Sequence, residues 1–301
     1  MSVRIAALAL AIPLLLQPQG PAFRSGVDVV RVDVSVMRGR APVTGLAAGN
    51  FRVTDNGVVQ DVDLTIDPAL SVMLVLDTSG SVAGDELTQL IDAGQQLVRA
   101  LHADDHAGLI TFSQQVTVNV PPTSDLPSVS RALGGLRGVG ATSVNDAIHV
   151  AMNLAPADAS RPVIIVFTDG ADNLSWMRPD GLVDEVKKTG VVIHVIELSS
   201  DAPQRPRPTS PALLEQGYLD GAPLMQALTV QAGGRIWSAQ SSRDLRRLFT
   251  EALDEMRARY LLTYTPNGIA REGWHTLKVT LQNARGDVTA RPGYFVTPKA
   301  P

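Results

Sequence analysis

Asp77, Ser79 and Ser81 stand where an apolar run stops. The run Ser71-Val72-Met73-Leu74-Val75-Leu76 ends at the Asp77 carboxylate, and hydroxyls follow two and four positions on. Three hard oxygen donors in one short loop suit Mg²⁺ or Ca²⁺ better than a soft metal. A single loop of this kind is also explained by Ser79 and Ser81 capping a helix while Asp77 tightens a turn. Two other segments weigh against that reading. Gly140-Ala141-Thr142 precedes a helical pattern, and Phe167-Thr168-Asp169-Gly170 closes another apolar run. Two carboxylates (Asp77, Asp169) and three hydroxyls (Ser79, Ser81, Thr142) then make a candidate hard-cation site with room for water and an outside ligand.

The elements that must position these residues are legible from texture. Apolar runs at Val72–Leu76, Ala107–Phe112, Val163–Thr168 and Val191–Leu198, with a weaker Arg235–Ser238, read as buried strands. A short Val116–Val118 reads as an antiparallel edge. Helical patterns occupy Asp85–Leu101, Pro127–Leu133, Asn145–Leu154, Pro179–Lys188, Pro223–Gln231 and Arg243–Arg257. Alternating strands and helices predict an α/β domain with a doubly wound, mostly parallel sheet. In such sheets, functional groups collect beyond the carboxyl ends of the strands. Ala202–Pro211, with four prolines, reads as a loop.

Both flanks have β texture. Val30, Val32, Val34 and Val36 alternate with polar residues, predicting a half-exposed antiparallel strand. Asp55-Asn56-Gly57 predicts a tight hairpin turn. After Tyr260–Tyr264, Leu277, Val279 and Leu281 alternate with polar residues, and a turn at Asn283–Gly286 leads to Asp287–Ala290 and Tyr294-Phe295-Val296. Neither flank is large enough to bury a core alone. The expected organisation is a leader at 1–22, an N-terminal β segment at 23–68, the α/β domain at 69–258, and a C-terminal β segment at 259–301. The two flanks are expected to pair into one β-sandwich-like module.

The segment from 69 to 258 resembles the von Willebrand factor A domain with its metal-ion-dependent adhesion site. The likeness rests on Asp77-Thr78-Ser79-Gly80-Ser81, Thr142 and Thr168-Asp169-Gly170, and extends to Asp104-Asp105-His106-Ala107-Gly108-Leu109-Ile110-Thr111-Phe112-Ser113. The flanks, Gly45-Leu46 through Gly57 and Tyr260–Pro266 with Ala290–Phe295, resemble a bacterial, exported group of such proteins. One departure is Ala232-Gly233-Gly234, where relatives often have Thr before the Gly pair.

The resemblance implies that Ser79, Ser81 and Thr142 offer hydroxyl oxygens, directly or through water, to Mg²⁺ (or Ca²⁺ or Mn²⁺). It implies that Asp77 and Asp169 act mainly through water and that a partner protein's Asp or Glu completes the site. Asp146, on the helix after Thr142, either hydrogen-bonds a metal ligand from behind or is a carboxylate at a helix start. Asp172 reads as a loop cap.

Other readings are narrower. The chain of 301 residues has 45% apolar and 19% charged residues and a net charge of −4, which gives no reason to expect nucleic acid or an anionic membrane as partner. It has no cysteine, which excludes thiolate chemistry and disulfides. Arg4, the apolar Ile5–Leu16 and a polar stretch to Ala22 read as a secretory signal cleaved after Ala22. That run is shorter than the roughly 20 residues of a transmembrane helix, and no later segment reads as one. The protein is thus expected to be exported, periplasmic or secreted. Nucleophile-elbow, phosphate-loop and His-Glu-x-x-His motifs are absent. The five histidines are scattered, with His194 reading as a core residue, so a binding protein is expected and not an enzyme. A binder of a small molecule or polysaccharide, or a metal-dependent hydrolase, is the alternative.

Overall fold

The computed structural model describes residues 29–65, 69–155, 161–169, 172–198, 221–270 and 272–297. The leader and the Ala202–Pro211 loop lie outside them. The N-terminal flank forms β1 (Val30–Arg38), β2 (Ala41–Pro42), β3 (Phe51–Asp55), β4 (Val58–Gln60) and β5 (Asp63–Thr65). There follow β6 (Leu70–Asp77), α1 (Asp85–Arg99), β7 (His106–Phe112), β8 (Val116–Thr123), α2 (Leu126–Gly134) and α3 (Val144–Leu154). Next come β9 (Arg161–Thr168), α4 (Pro179–Val186), β10 (Val192–Leu198), α5 (Ala222–Ala232), β11 (Ile236–Ala239) and α6 (Leu245–Arg257). The C-terminal flank gives β12 (Tyr260–Tyr264), β13 (Gly273–Leu281), β14 (Asp287–Thr289) and β15 (Gly293–Val296).

The central sheet has the order β11-β10-β9-β6-β7-β8. All its pairs are parallel except the edge pair β7–β8, as a doubly wound α/β fold requires. Every residue of β6 is buried, because helices cover both faces. Successive side chains of a strand point to opposite faces, and β6 divides accordingly. Leu70, Val72, Leu74 and Leu76 join the core under α1, α2 and α6. Met73 and Val75 join the core under α3, α4 and α5. The strand order reverses between β6 and β9, so the loops after these strands flank the crevice where α/β sheets place their sites.

Some boundaries differ from the sequence reading. β8 runs to Thr123, through Pro121 and Pro122. Proline argues against an interior strand, but β8 is an edge, where a missing N–H costs no ladder bond. Arg243 and its neighbours form a 3₁₀ turn before α6. The Ala232-Gly233-Gly234 step is sterically required: Gly233 ends α5 at φ 67°, and a Cβ on Gly234 would lie 1.8 Å from the Ile193 carbonyl oxygen.

The flanks pair with one another. β1 runs antiparallel to β12 and β14, and β3 runs antiparallel to β13. The two resulting sheets enclose a core that includes Val32, Val34, Phe51, Val53, Leu262 and Tyr294. The hairpin turn has φ 47° at Asn56 and 84° at Gly57, the conformation expected of Asn-Gly. Beside it, buried Asp55 accepts hydrogen bonds from the Tyr264 and Tyr294 hydroxyls, each at 2.7 Å, and lies 2.9 Å from His275 Nδ1.

The half-exposed strand expected at Val30–Val36 is largely covered. Ser35 is buried, and Asp33 forms an ion pair with buried Arg161 at the start of β9. Arg291 donates to the Thr189 and Arg31 carbonyls, and the Phe295 N–H donates to Lys187 O. These contacts lie at the amino ends of β9 and β10, so the β module holds the end of the sheet opposite the candidate site.

Candidate metal site

The loop after β6 is held by backbone bonds on both sides. The Thr78 N–H and hydroxyl both donate to Phe112 O, at 2.8 and 3.1 Å. The Gly80 N–H donates to Gly140 O at 3.0 Å, and the Val139 N–H donates to Thr78 O at 2.8 Å. The Asp77 loop is thereby stitched to the loop carrying Thr142. Thr142 and Asn173 exchange two bonds, with N–H of Thr142 to Asn173 Oδ1 at 3.0 Å and N–H of Asn173 to Thr142 O at 3.1 Å. The three loops predicted to share a rim are joined chain to chain.

Asp77 is fully buried. Its Oδ1 accepts the Ser79 N–H at 2.8 Å, and its Oδ2 accepts the Thr168 hydroxyl at 3.3 Å. Burial pushes the Asp77 carboxyl up to about 6, against the lowering effect of its bonds to Ser79; the nearby Asp169 charge pushes the same way as burial. Burial, and then the charge of Asp169, also raises Glu86 at the start of α1. Ser79 is buried while Ser81 is exposed, and their hydroxyl oxygens lie 3.0 Å apart.

The donor set fits a hard divalent cation. The Ser79 and Ser81 hydroxyls hydrogen-bond each other at 3.0 Å, a separation that adjacent ligands of an octahedral ion with bonds of about 2.0–2.1 Å would also have. Carboxylates crowded in a buried rim also favour a countercharge. Among the described residues no cluster of three or more His, Cys, Asp or Glu side chains is placed to hold a metal. Hydroxyls therefore make up the majority of this candidate set.

Asp146 and Asp172 serve the neighbouring loop. Asp146 Oδ2 and Oδ1 accept the Trp176 and Met177 N–H groups at 3.1 and 2.7 Å. Asp172 accepts the N–H groups of Asn145, Leu174 and Ser175, so it caps α3 as well as its own loop. Asn173 went unnoticed in the sequence, because a lone Asn in a polar loop carries no spacing signal. Only part of the buried cluster of His194, Glu255 and Arg259 is legible in the sequence. His194 is the core residue expected, its Nδ1 accepting the Arg235 N–H at 3.1 Å. Its acidic partner lies 61 positions away on α6 and has no local signature.

An open, mostly parallel α/β sheet with its switch point between β6 and β9 defines a class of fold, and comparison with known proteins agrees on that fold. Residues 72–171 match the family model for the von Willebrand factor type A domain. The match spans about a third of the chain and lies within the α/β domain. It is 32% identical over 144 residues to calcium-activated chloride channel regulator 1 of Homo sapiens, covering 44% of this chain and 15% of that protein. A UPF0353 protein of Mycolicibacterium gilvum is 23% identical over 256 residues, covering 76% of this chain and 71% of the relative. Proximal thread matrix protein 1 from the mussel byssus, solved with a zinc-occupied MIDAS motif, superimposes with a TM-score of 0.51 at 14% identity. That superposition covers 66% of this chain and 49% of the other. The chain spans about 15% of the length of the animal relatives it matches. Among the described residues no helix is long and apolar enough to cross a membrane.

Proposed function

We propose that this protein is an exported, divalent-cation-dependent protein-binding module of the adhesion or scaffold type. Asp77, Ser79, Ser81, Thr142 and Asp169 would hold Mg²⁺, Ca²⁺ or Mn²⁺, and an Asp or Glu of a partner protein would complete the site. The observation that carries this reading is the stitching of the Asp77, Thr142 and Asn173 loops into one rim by backbone bonds. A divalent cation held there supplies a positive centre, incompletely neutralised by hydroxyl ligands, that attracts a further carboxylate oxygen. The chain's residues do the rest: Thr78 and Gly80 fix the loop, Asp77 and Asp169 bring negative charge, and buried Ser79 and exposed Ser81 offer neighbouring hydroxyl oxygens. A neighbour in the same fold with a zinc-occupied MIDAS motif supports a divalent ion here. This reading assigns no catalytic residue.

Affinity capture from periplasmic extract or culture medium tests it. The immobilised chain from residue 23 onward is expected to retain a partner in Mg²⁺ and release it in EDTA. Asp77→Ala and Asp169→Ala should retain none, and so should a partner whose carboxylates have been amidated. Equal retention with and without EDTA would overturn the reading.

A further inference from the structure

Next to the rim lies an open groove of about 610 Å³ whose lining includes Asp146, His149, Trp176, Met177, Arg178, Asp180 and Asp184. Trp176 is 94% exposed. A large indole held in solvent by a pinned backbone marks a contact surface more than a packing role. The pin is Asp146, whose two oxygens take the Trp176 and Met177 N–H groups. These amide donors are neutral, so they leave the carboxylate's charge uncancelled.

The groove is also acidic, with three carboxylates against one guanidinium. Arg178 lies 3.1 Å from Asp180, and Lys187, outside the lining, lies 2.8 Å from Asp184. The first pair is largely solvent-exposed and the second is exposed on its Asp184 side, and exposed pairs contribute little and exchange readily. An aromatic face beside carboxylates attracts a desolvating cation. An apolar ligand side chain would gain only the indole and nothing from the charge of the carboxylates.

From this combination we infer that the groove receives an arginine or lysine side chain of the partner protein, stacked on Trp176 and countered by Asp146, Asp180 and Asp184. Asp146 belongs to the first turn of α3, one helical turn beyond Thr142. A ligand with a carboxylate at the metal rim therefore reaches the groove within about two to four extended residues. The recognised segment carries an acidic residue and, a few positions away, a basic one. The acidic half of this statement rests on the proposed function, while the basic half stands without any metal.

Nuclear magnetic resonance of the ¹⁵N-labelled chain separates the two halves. The Trp176 indole N–H, assigned by its loss in Trp176→Phe, is followed in EDTA against acetyl-arginine methylamide, acetyl-norleucine methylamide and methyl β-glucoside. The arginine probe alone is expected to shift the Trp176 signal saturably, leaving Trp237 and Trp274 unmoved. Asp180→Asn with Asp184→Asn should weaken that binding at least about threefold. An unmoved Trp176, or an equal shift by norleucine or the glucoside, overturns the inference; the latter two would make the groove an apolar or a sugar surface. The peptides acetyl-Glu-Gly-Gly-Gly-Arg-amide and its norleucine counterpart are then compared in Mg²⁺. The arginine peptide is expected to bind about tenfold tighter, and equal affinities would overturn the two-point statement. Arginine-probe binding with no Mg²⁺ effect on either peptide would instead refute the metal reading and leave the groove's specificity standing.

Discussion

Asp77→Asn is expected to melt above the parent chain in EDTA at neutral pH and to gain nothing from millimolar Mg²⁺. Asp77 is fully buried, and burial, reinforced by Asp169, pushes its carboxyl from 3.8 up to about 6. Between those values the folded chain binds more protons than the unfolded one. Stability from this group therefore falls as pH rises through that window, and the penalty is complete above about 6. A shift of this size corresponds to about 1–3 kcal/mol at neutral pH, or a rise in Tm of about 3–10 °C when the charge is removed. Asparagine keeps the shape and the acceptor for the Ser79 N–H. It gives up the negative charge for which, on the proposed function, the site accepts this cost. Thermal scans of both proteins in EDTA and in Mg²⁺ provide the check. A variant less stable than the parent in EDTA, or one as responsive to Mg²⁺, would refute the explanation.

Glu255→Ala is expected to cost more, about 3–5 kcal/mol, because it strands a buried cation. Both Glu255 oxygens lie 3.0 Å from Arg259 Nε, and its Oε2 is 3.1 Å from His194 Nε2. All three residues are buried. Burial alone would raise the Glu255 carboxyl, but the Arg259 charge and the His194 bond outweigh it and hold it well below the usual range. Desolvation keeps His194 below its ordinary 6.5. Removing the carboxylate leaves Arg259 unpaired where water cannot reach it, and Tm should fall by about 10 °C. A fall of only a degree or two would show the cluster to be energetically idle. The same groups set an acid sensitivity. On acidification the unfolded chain protonates His194 near 6.5 and Glu255 near 4.5, before the folded chain does. Their contribution is therefore lost as pH falls from about 6.5. Asp77 acts in the opposite sense over part of that range, so the acid loss should be steeper in Asp77→Asn.

The alternation of apolar strands with helical patterns is enough to predict the central sheet, since β6 and β9 are buried on both faces and carry continuous apolar runs, while β10 is interrupted only by His194 and Glu197. The pairing of the flanks was legible from their size and alternation. The covering of Asp33 and Ser35 was not, because it depends on Arg161 arriving from a strand 128 positions away. Within the candidate site, Asp77, Ser79 and Ser81 announced themselves by local spacing. Thr142 and Asp169 followed from their positions at strand and helix ends. Asn173 and Trp176 did not, since a loop's role depends on which loop it meets. The Glu255–Arg259 pair has helical spacing, yet its burial against His194 is a tertiary fact.

Calorimetric titration of the metal-free chain with Mn²⁺, repeated in competition with Mg²⁺, tests the central claim most directly. The expected result is saturable binding of a single ion, displaced by Mg²⁺, weakened in Thr142→Ala and Asp169→Asn and absent in Asp77→Asn. Saturable binding that persists unchanged in Asp77→Asn, or no saturable binding to the parent chain, would contradict it.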